Sequence, residues 1–266
     1  MKQDMSTRFI LLLLLTVCSL CGCATGSNPR DPLEPFNRRV HSFNTAVDKA
    51  VLKPVAKGYV AVVPRLVRRG VANFFGNLGM PVITLNDLLQ LKGSKVPVDI
   101  VRFATNTVFG LGGLIDVASE LQIERRNEDF GQTLGYWGSK SGPYLVLPLF
   151  GPSNIRDSIG TAVDYFAHPT FYWDPSAEES RWIIFSLDII DTRAQLLDAE
   201  KFLDAAAIDR YSFLRDAYLQ RREFAVRDGN LPASTDPGSR PKTLKELEEE
   251  DLMDEPVPLR TAPRVQ

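Results

Sequence analysis

Beyond position 23 the chain has no cysteine. Its three lie at 18, 21 and 23, so no disulfide and no thiolate metal site can form downstream of them. Histidine is nearly missing too, with only His41 and His168, which excludes histidine-rich metal centres. Net charge is close to zero, with 31 Lys+Arg against 33 Asp+Glu, and residues 23–229 carry 24 of each sign. A neutral body has no basic footprint for nucleic acid. No uncharged apolar run reaches the roughly 20 residues that carry a helix across a bilayer. Alternating strand patterns are scarce. What remains is ordinary globular composition, 44% apolar and 24% charged over 266 residues, enough for one large core or two small ones.

The first 22 residues read as an export signal. Lys2 and Arg8 precede an apolar run from Phe9 to Leu15, then Thr16-Val17-Cys18-Ser19-Leu20, too short for a permanent span. The string Leu20-Cys21-Gly22-Cys23 then resembles the bacterial lipobox, in which the final cysteine is acylated and becomes the new N-terminus. The competing reading is a plain signal peptide with incidental cysteines, or cleavage before Cys21. Acyl chains bury methylenes at about 0.8 kcal/mol each, so a lipidated Cys23 anchors the chain stably. Ala24, where inner-membrane lipoproteins carry Asp, points by the same resemblance to the outer membrane. Residues 23–30 form a polar leash.

From residue 31 the pattern is helical, and the fold class expected is all-α, one domain over 31–229. Asp31-Pro32-Leu33-Glu34 predicts a helix start with Asp31 as cap, and Phe36, Val40, Phe43, Val47 and Val51 follow as an apolar stripe. Pro54 is expected to end or kink that helix, and Pro64, Pro81 and Pro97 to divide the next stretch into short helices. The best extended segment is Tyr144 to Phe150, broken by Pro148. Ser176-Ala177-Glu178-Glu179 is a capping box. Ile183, Leu187, Ile190, Ala194 and Leu197 make a second stripe, and a last helix is expected over 209–227, stopped by Gly229. Residues 230–266, with five basic and eight acidic side chains and several prolines, read as a disordered tail.

Three stretches carry no charge: Gly70 to Asn86, Phe103 to Ile115 and Ser141 to Ile155. Each is interrupted by Gly, Pro or Asn and edged by aromatic residues, which suits short elements lying within one leaflet better than spanning helices. A lightly charged soluble core is the plainer alternative. Arg65, Arg68 and Arg69 share a helix face just before the first stretch, placed to snorkel toward phosphates. Lys49, Lys53 and Lys57 recur every four residues, interrupted by Pro54.

No catalytic pattern survives inspection. Gly138-Ser139-Lys140-Ser141-Gly142 has lysine where a nucleophile elbow needs serine, and the one Ser-x-x-Lys, Ser239 to Lys242, lies in the tail. There is no phosphate loop, and Gly110-Leu111-Gly112-Gly113 follows a helical pattern where a dinucleotide fingerprint would follow a strand. Asp164 stands four before His168, but two ligands do not make a metal site. Carboxylate pairs among Asp116, Glu120, Glu128 and Asp129 are what any acidic-rich chain supplies. The expectation is a non-enzyme with no cofactor and no metal.

Beyond these patterns, a series of distinctive strings runs along the chain. The first is Asp31-Pro32-Leu33-Glu34-Pro35-Phe36-Asn37-Arg38 with Phe43-Asn44 and Asp48, followed by Gly70-Val71-Ala72-Asn73-Phe74-Phe75-Gly76-Asn77-Leu78. Arg102-Phe103, Asn106-Thr107 and Gly110-Leu111-Gly112-Gly113-Leu114-Ile115-Asp116 continue the series. Glu128-Asp129-Phe130-Gly131-Gln132-Thr133-Leu134-Gly135, Gly142-Pro143-Tyr144, Leu147-Pro148 and Arg156-Asp157 come next. Asp191-Thr192-Arg193-Ala194-Gln195-Leu196-Leu197-Asp198 and Ala217-Tyr218-Leu219-Gln220-Arg221 close it, in order across about residues 31–222. Together these strings resemble the VacJ/MlaA family of outer-membrane lipoproteins.

The resemblance implies a helical ring in the inner leaflet of the outer membrane with an amphipathic channel. It implies removal of phospholipid misplaced in the outer leaflet, delivery to a soluble periplasmic lipid-binding protein, and residence on a trimeric porin. On that reading Gly110, Gly112 and Gly113 form a flexible hairpin beside the lipid path, with close helix packing as the alternative. Arg181, beside Trp182, is the candidate head-group contact, with an interfacial ion pair as the alternative. Two other functions compete: an anchored adaptor that recruits a partner through the acidic tail, and a periplasmic lipid- or wall-degrading hydrolase.

Overall fold

The computed structural model describes residues 28–172 and 178–230, with the side chains of 178–181 and 204–206 outside the description. The signal, Cys23, most of the leash, the capping-box residues Ser176 and Ala177, and nearly all of the tail lie outside the described residues. Helix dominates. The chain enters α1 at Glu34–Val47, widens into a π turn over Asp48–Leu52, and continues as α2, Lys53–Val62. Pro54 therefore neither ends the helix nor stands in its middle: it occupies the first turn of α2, directly after the π turn. A proline ring clashes with the carbonyl four residues back, and a local π register removes that demand. The expected cap is also corrected. No side chain caps α1; Asp31 lies fully buried and gives only its carbonyl to the Glu34 N–H, leaving its carboxylate free for the interior.

The other prolines punctuate as expected. Pro64 precedes α3 (Arg65–Leu78), Pro81 stands in the first turn of α4 (Met80–Leu89), and Pro97 in that of α5 (Val96–Val108). There the missing N–H has no intrahelical partner to lose. Short α6 (Val117–Glu120) is capped by Asp116, and α7 (Phe130–Tyr136) by Asp129, each carboxylate accepting an N–H of the first turn. The extended segment pairs after all: β1 (Tyr144–Leu147) runs antiparallel to β2 (Gly151–Asn154), Tyr144 opposite Asn154 and Leu147 opposite Gly151. The strand break at Pro148 is the hairpin turn itself.

Asn154 then caps α8 (Ile155–Ala167) through the Asp157 N–H at 2.8 Å, and a 3-10 turn follows at Pro169–Tyr172. The last elements are α9 (Glu178–Gln195), α10 (Leu197–Ala206) and α11 (Arg210–Val226). Asp209 caps α11, and Gly229 sits at φ +83 just past its end. Helices α7 and α8 meet where neither has a side chain: a Cβ on Gly160 would lie 2.3 Å from the Gly131 nitrogen.

A buried apolar cluster joins Tyr144, Val146 and Tyr211, with Val40, Tyr218 and Leu219 packed around it. Helix α1 meets β1 there through two side-chain amides. Asn37 donates to the Tyr144 carbonyl (3.0 Å) and accepts from the Val146 N–H (2.9 Å). Asn44 donates to the Leu147 carbonyl (2.9 Å) and accepts from the Leu149 N–H (2.8 Å). Seven residues are two helical turns, so both amides point the same way and act as the missing third strand along the edge of β1.

Candidate functional site

The distribution of polarity is inverted. Among the described residues eight apolar side chains are buried, against eighteen polar or charged ones. Exposed instead are large apolar groups on many elements, including Val62 (81%), Leu66 (80%), Phe109 (72%) and Phe150 (71%). Both apolar stripes are affected. Phe43 and Val51 of the first, and Ile183 of the second, face outward, while Val40 of the first and the neighbouring Asn37 turn inward. Helix α8 shows Ile155, Ile159, Val163 and Phe166 to the surroundings, one side of a helix at spacings of four, four and three. In water such an exterior would cost about 25 cal/mol for every Å² of apolar surface, and patches of this kind mark contact with a membrane or partner.

Ionic networks hold the interior together. Arg222 of α11 reaches Asp129 with Nη1 and Nη2 (2.5 and 2.9 Å) and Asp157 with Nε and Nη2 (2.8 and 2.9 Å). Tyr218 adds its hydroxyl to Asp157 at 2.7 Å. Burial opposes ionisation of both aspartates, but the bonds from Arg222 outweigh it and hold both carboxyls below the usual range. At the other end, Arg193 grips Asp48 (2.5 and 2.8 Å) and Glu200 (2.6 Å), and Lys53 meets Glu200 at 3.0 Å. Burial would raise Glu200; Arg193 and Lys53 bring it down to about 2. Asp31 accepts from Asn37 (2.8 Å) and from the Tyr211 hydroxyl.

A third network closes the glycine turn. Arg102 pairs with Asp116 at 2.7 and 2.8 Å and also bonds the Ile123 carbonyl, while Asn106 bonds Asp116 (2.9 Å) and the Ala118 N–H (2.8 Å). Between them the chain turns through Leu111, Gly112 and Gly113, all at positive φ. The turn packs tightly at two of its three glycines. A Cβ on Gly110 would fall 2.1 Å from the Ile115 carbonyl oxygen, and one on Gly113 would fall 2.6 Å from Asn77 Cβ; around Gly112 there is open space. Asn73 bonds the Leu114 carbonyl at 3.2 Å. A small recess lined by Asn73, Gly76, Asn77, Arg102, Asn106 and Arg125 lies against this turn, and the buried Asn77 Oδ1 has no partner in it.

The other residues singled out by sequence are scattered. Arg65, Arg68 and Arg69 open α3, the first and last exposed and Arg68 half-buried. Arg181 lies on α9, its side chain outside the described ones, and Cys23 lies outside altogether. His168 is a loop histidine at the end of α8, its Nδ1 2.8 Å from Thr170 Oγ1. Asp164, four residues before it, turns elsewhere, to the Asn86 amide (3.0 Å) and the Phe130 N–H (2.9 Å). Among the described residues no three His, Cys, Asp or Glu side chains are grouped to hold a metal ion, and no helix is long and apolar enough to cross a membrane.

Sequence reasoning missed the interior carboxyl pair. Asp87 of α4 and Asp99 of α5 are both fully buried, and Arg126 lies 2.7 Å from Asp99 and 3.6 Å from Asp87. Asp87 is pushed up to about 7, by burial first and then by its bond to Asp99. Neither oxygen of Asp87 has a hydrogen-bond donor, and only Arg126, at 3.6 Å, offsets the cost of burying its charge. An Asp inside an otherwise uncharged helix was the available signal.

Helices too short to span, an apolar exterior and an ionic interior together define a helical protein of the membrane-associated class. Residues 29–225 match the model of the MlaA lipoprotein family. The chain belongs to that family. It is 35% identical over 249 residues to the intermembrane phospholipid transport system lipoprotein MlaA of Escherichia coli (strain K12), covering 90% of this chain and 97% of that protein. To the lipoprotein of the same name from Haemophilus influenzae it is 37% identical, covering 86% and 95%. A solved chain from work on the maintenance of bacterial outer membrane lipid asymmetry superposes with a TM-score of 0.64 at 36% identity, covering 74% of this chain and 98% of that one.

Proposed function

We propose that this chain is an outer-membrane lipoprotein that removes mislocalised phospholipids from the outer leaflet and passes them to a soluble periplasmic lipid-binding protein, so maintaining lipid asymmetry. The observation that carries this reading is the inverted polarity: apolar side chains on many elements face out while the charges pair inside. A phospholipid has a charged head and two apolar tails, so its path is wet on one side and apolar on the other. The names of the relatives, phospholipid transport lipoproteins, support the same reading.

On this reading the body forms a ring in the inner leaflet around an amphipathic channel, beside a trimeric porin. Acylated Cys23 holds it there through the leash 23–30. The turn at Gly110, Gly112 and Gly113 borders the lipid path, and Arg181 meets the head group. Arg65, Arg68 and Arg69 lie at the membrane surface. No catalytic step and no cofactor is involved. Transport energy comes from elsewhere in the pathway.

The test is outer-leaflet phospholipid on intact cells lacking the protein, complemented with wild type or with Cys23→Ala. The expected result is an asymmetry defect that wild type rescues and Cys23→Ala rescues poorly. No change in outer-leaflet phospholipid, in a strain without a second family member, overturns the transport reading. Deleting 230–266 leaves clearance intact, since the family match ends at residue 225; failure of that deletion favours the adaptor. Arg181→Leu with normal clearance removes the head-group role.

A further inference from the structure

Between Asp48 and Asp87 the chain has no acidic residue, yet it carries Lys49, Lys53, Lys57, Arg65, Arg68 and Arg69. In a protein whose interior pairs its charges, this segment stands apart. Lys53 turns in to Glu200, whereas the other five form no ion pair among the described residues. Lys57, Arg65 and Arg69 are exposed, and the half-buried Arg68 has an Nε with no partner. The corner where α2 turns into α3 through Val63 and Pro64 brings these cations together with the most exposed aliphatic side chains of the segment, Val62 at 81% and Leu66 at 80%.

We propose that this corner docks on anionic phospholipid headgroups of the bilayer. Val62 and Leu66 enter the acyl boundary, and Arg65, Arg69 and Lys57 reach back along their own stems to the phosphates. Arg65 and Arg69 are four residues apart, one turn of α3, so both forks meet the same plane of phosphates. An acidic protein would need carboxylates at fixed positions around an apolar socket. A bilayer offers anionic charge directly above hydrocarbon at any lateral position, which is the layering the corner presents. The excess of unpaired positive charge selects anionic over zwitterionic lipid. This rests on the membrane location proposed above and adds a lipid preference to it.

The experiment places a fluorophore on Leu66→Cys in the full-length lipoprotein, with the wild-type chain as the labelling blank. The protein is reconstituted into vesicles in which either phosphatidylglycerol or phosphatidylcholine carries brominated acyl chains at equal mole fraction. Expected is stronger quenching by brominated phosphatidylglycerol, by about twofold or more at low salt, falling to parity near about 0.5 M salt. Arg65→Gln/Arg69→Gln loses the preference, and Arg65→Lys/Arg69→Lys keeps it, which separates lost charge from lost fold. Equal quenching by the two lipids overturns the charge preference while leaving the membrane location standing. No quenching by either overturns both and points to a protein partner at this corner.

Discussion

Arg222 holds Asp157 by both carboxylate oxygens, at 2.8 and 2.9 Å, across 65 positions of sequence. The same guanidinium holds Asp129, so one side chain of α11 ties down the start of α7 and the first turn of α8. A protein with an apolar exterior has little hydrophobic burial to define its fold in water. Fixed ionic geometry inside takes over part of that role.

Arg222→Met is therefore expected to destabilise, by up to about 3–5 kcal/mol, because it leaves the buried Asp157 with Arg156 alone and the half-exposed Asp129 with no cation. Denaturant unfolding in detergent micelles measures it. Adding Asp129→Asn and Asp157→Asn to the variant recovers part of the loss. The depressed aspartates also set a sign: their stabilisation is present above about pH 4 and lost as pH falls below it, so wild type loses more on acidification than Arg222→Met. A single variant within about 0.5 kcal/mol of wild type would mean the clamp is not structural.

Asn37 and Asn44 do the same work at different depths, and their substitution should show it. Asn37 is fully buried, so Asn37→Leu leaves the Val146 N–H, the Tyr144 carbonyl and one Asp31 oxygen without a bond. Each stranded group costs about 1–3 kcal/mol. Asn44→Leu frees groups near Leu149, itself 63% exposed, where water replaces the amide. Thermal unfolding should rank Asn37→Leu well below Asn44→Leu, and equal losses would contradict the edge-strand account.

Much of this arrangement was legible in the sequence, and the failures share one cause. Periodicity assigned Phe43, Val51 and Ile183 to helical stripes, and they lie on helices. Periodicity says which residues share a face; it does not say what the face meets. Prolines 64, 81 and 97 were read correctly because a first-turn proline is a local matter; at Pro54 the helix was expected to end or kink, and the π turn through which it continues leaves no mark in composition. Asp31 looked like a cap since nothing nearby in sequence reveals Tyr211 or Arg215 as its partners. The family strings did hold the interior networks: Asn37, Arg102, Asn106, Asp116, Asp129, Asp157 and Arg193 all belong to them.

The Asp87–Asp99 pair gives a pH dependence of opposite sign to the clamp. Asp87 rises to about 7 in the folded protein from an ordinary value near about 4, so the folded state holds a proton that the unfolded state has lost. Its contribution to stability is full below about pH 4 and is lost as pH rises through about 7. Asp87→Asn imitates the protonated acid and should remove that loss, leaving the variant more stable relative to wild type at pH 8 than at pH 5. Each tenfold difference in proton affinity corresponds to about 1.4 kcal/mol. Melting temperatures of the two proteins across that range decide the matter, and parallel curves would mean that Asp87 is not protonated in the folded state at pH 5.

The glycine turn separates packing from movement. Gly110→Ala drives a Cβ to 2.1 Å from the Ile115 oxygen and 2.4 Å from the Asn106 oxygen, both backbone, so the turn cannot yield by rotating a side chain. A loss of about 3 kcal/mol or more is expected, with the Arg102–Asp116 network going with it. Gly112→Ala enters open space and bears only the strain of φ +74, about 1–2 kcal/mol. The pair can then be read against lipid clearance in cells. Clearance that follows stability, lost in Gly110→Ala and kept in Gly112→Ala, assigns these glycines to close packing, the role their contacts show at 110 and 113. A clearance defect in Gly112→Ala out of proportion to its small change in melting temperature assigns Gly112 to motion of the turn, because at that position no neighbour is displaced and only the backbone's freedom has changed.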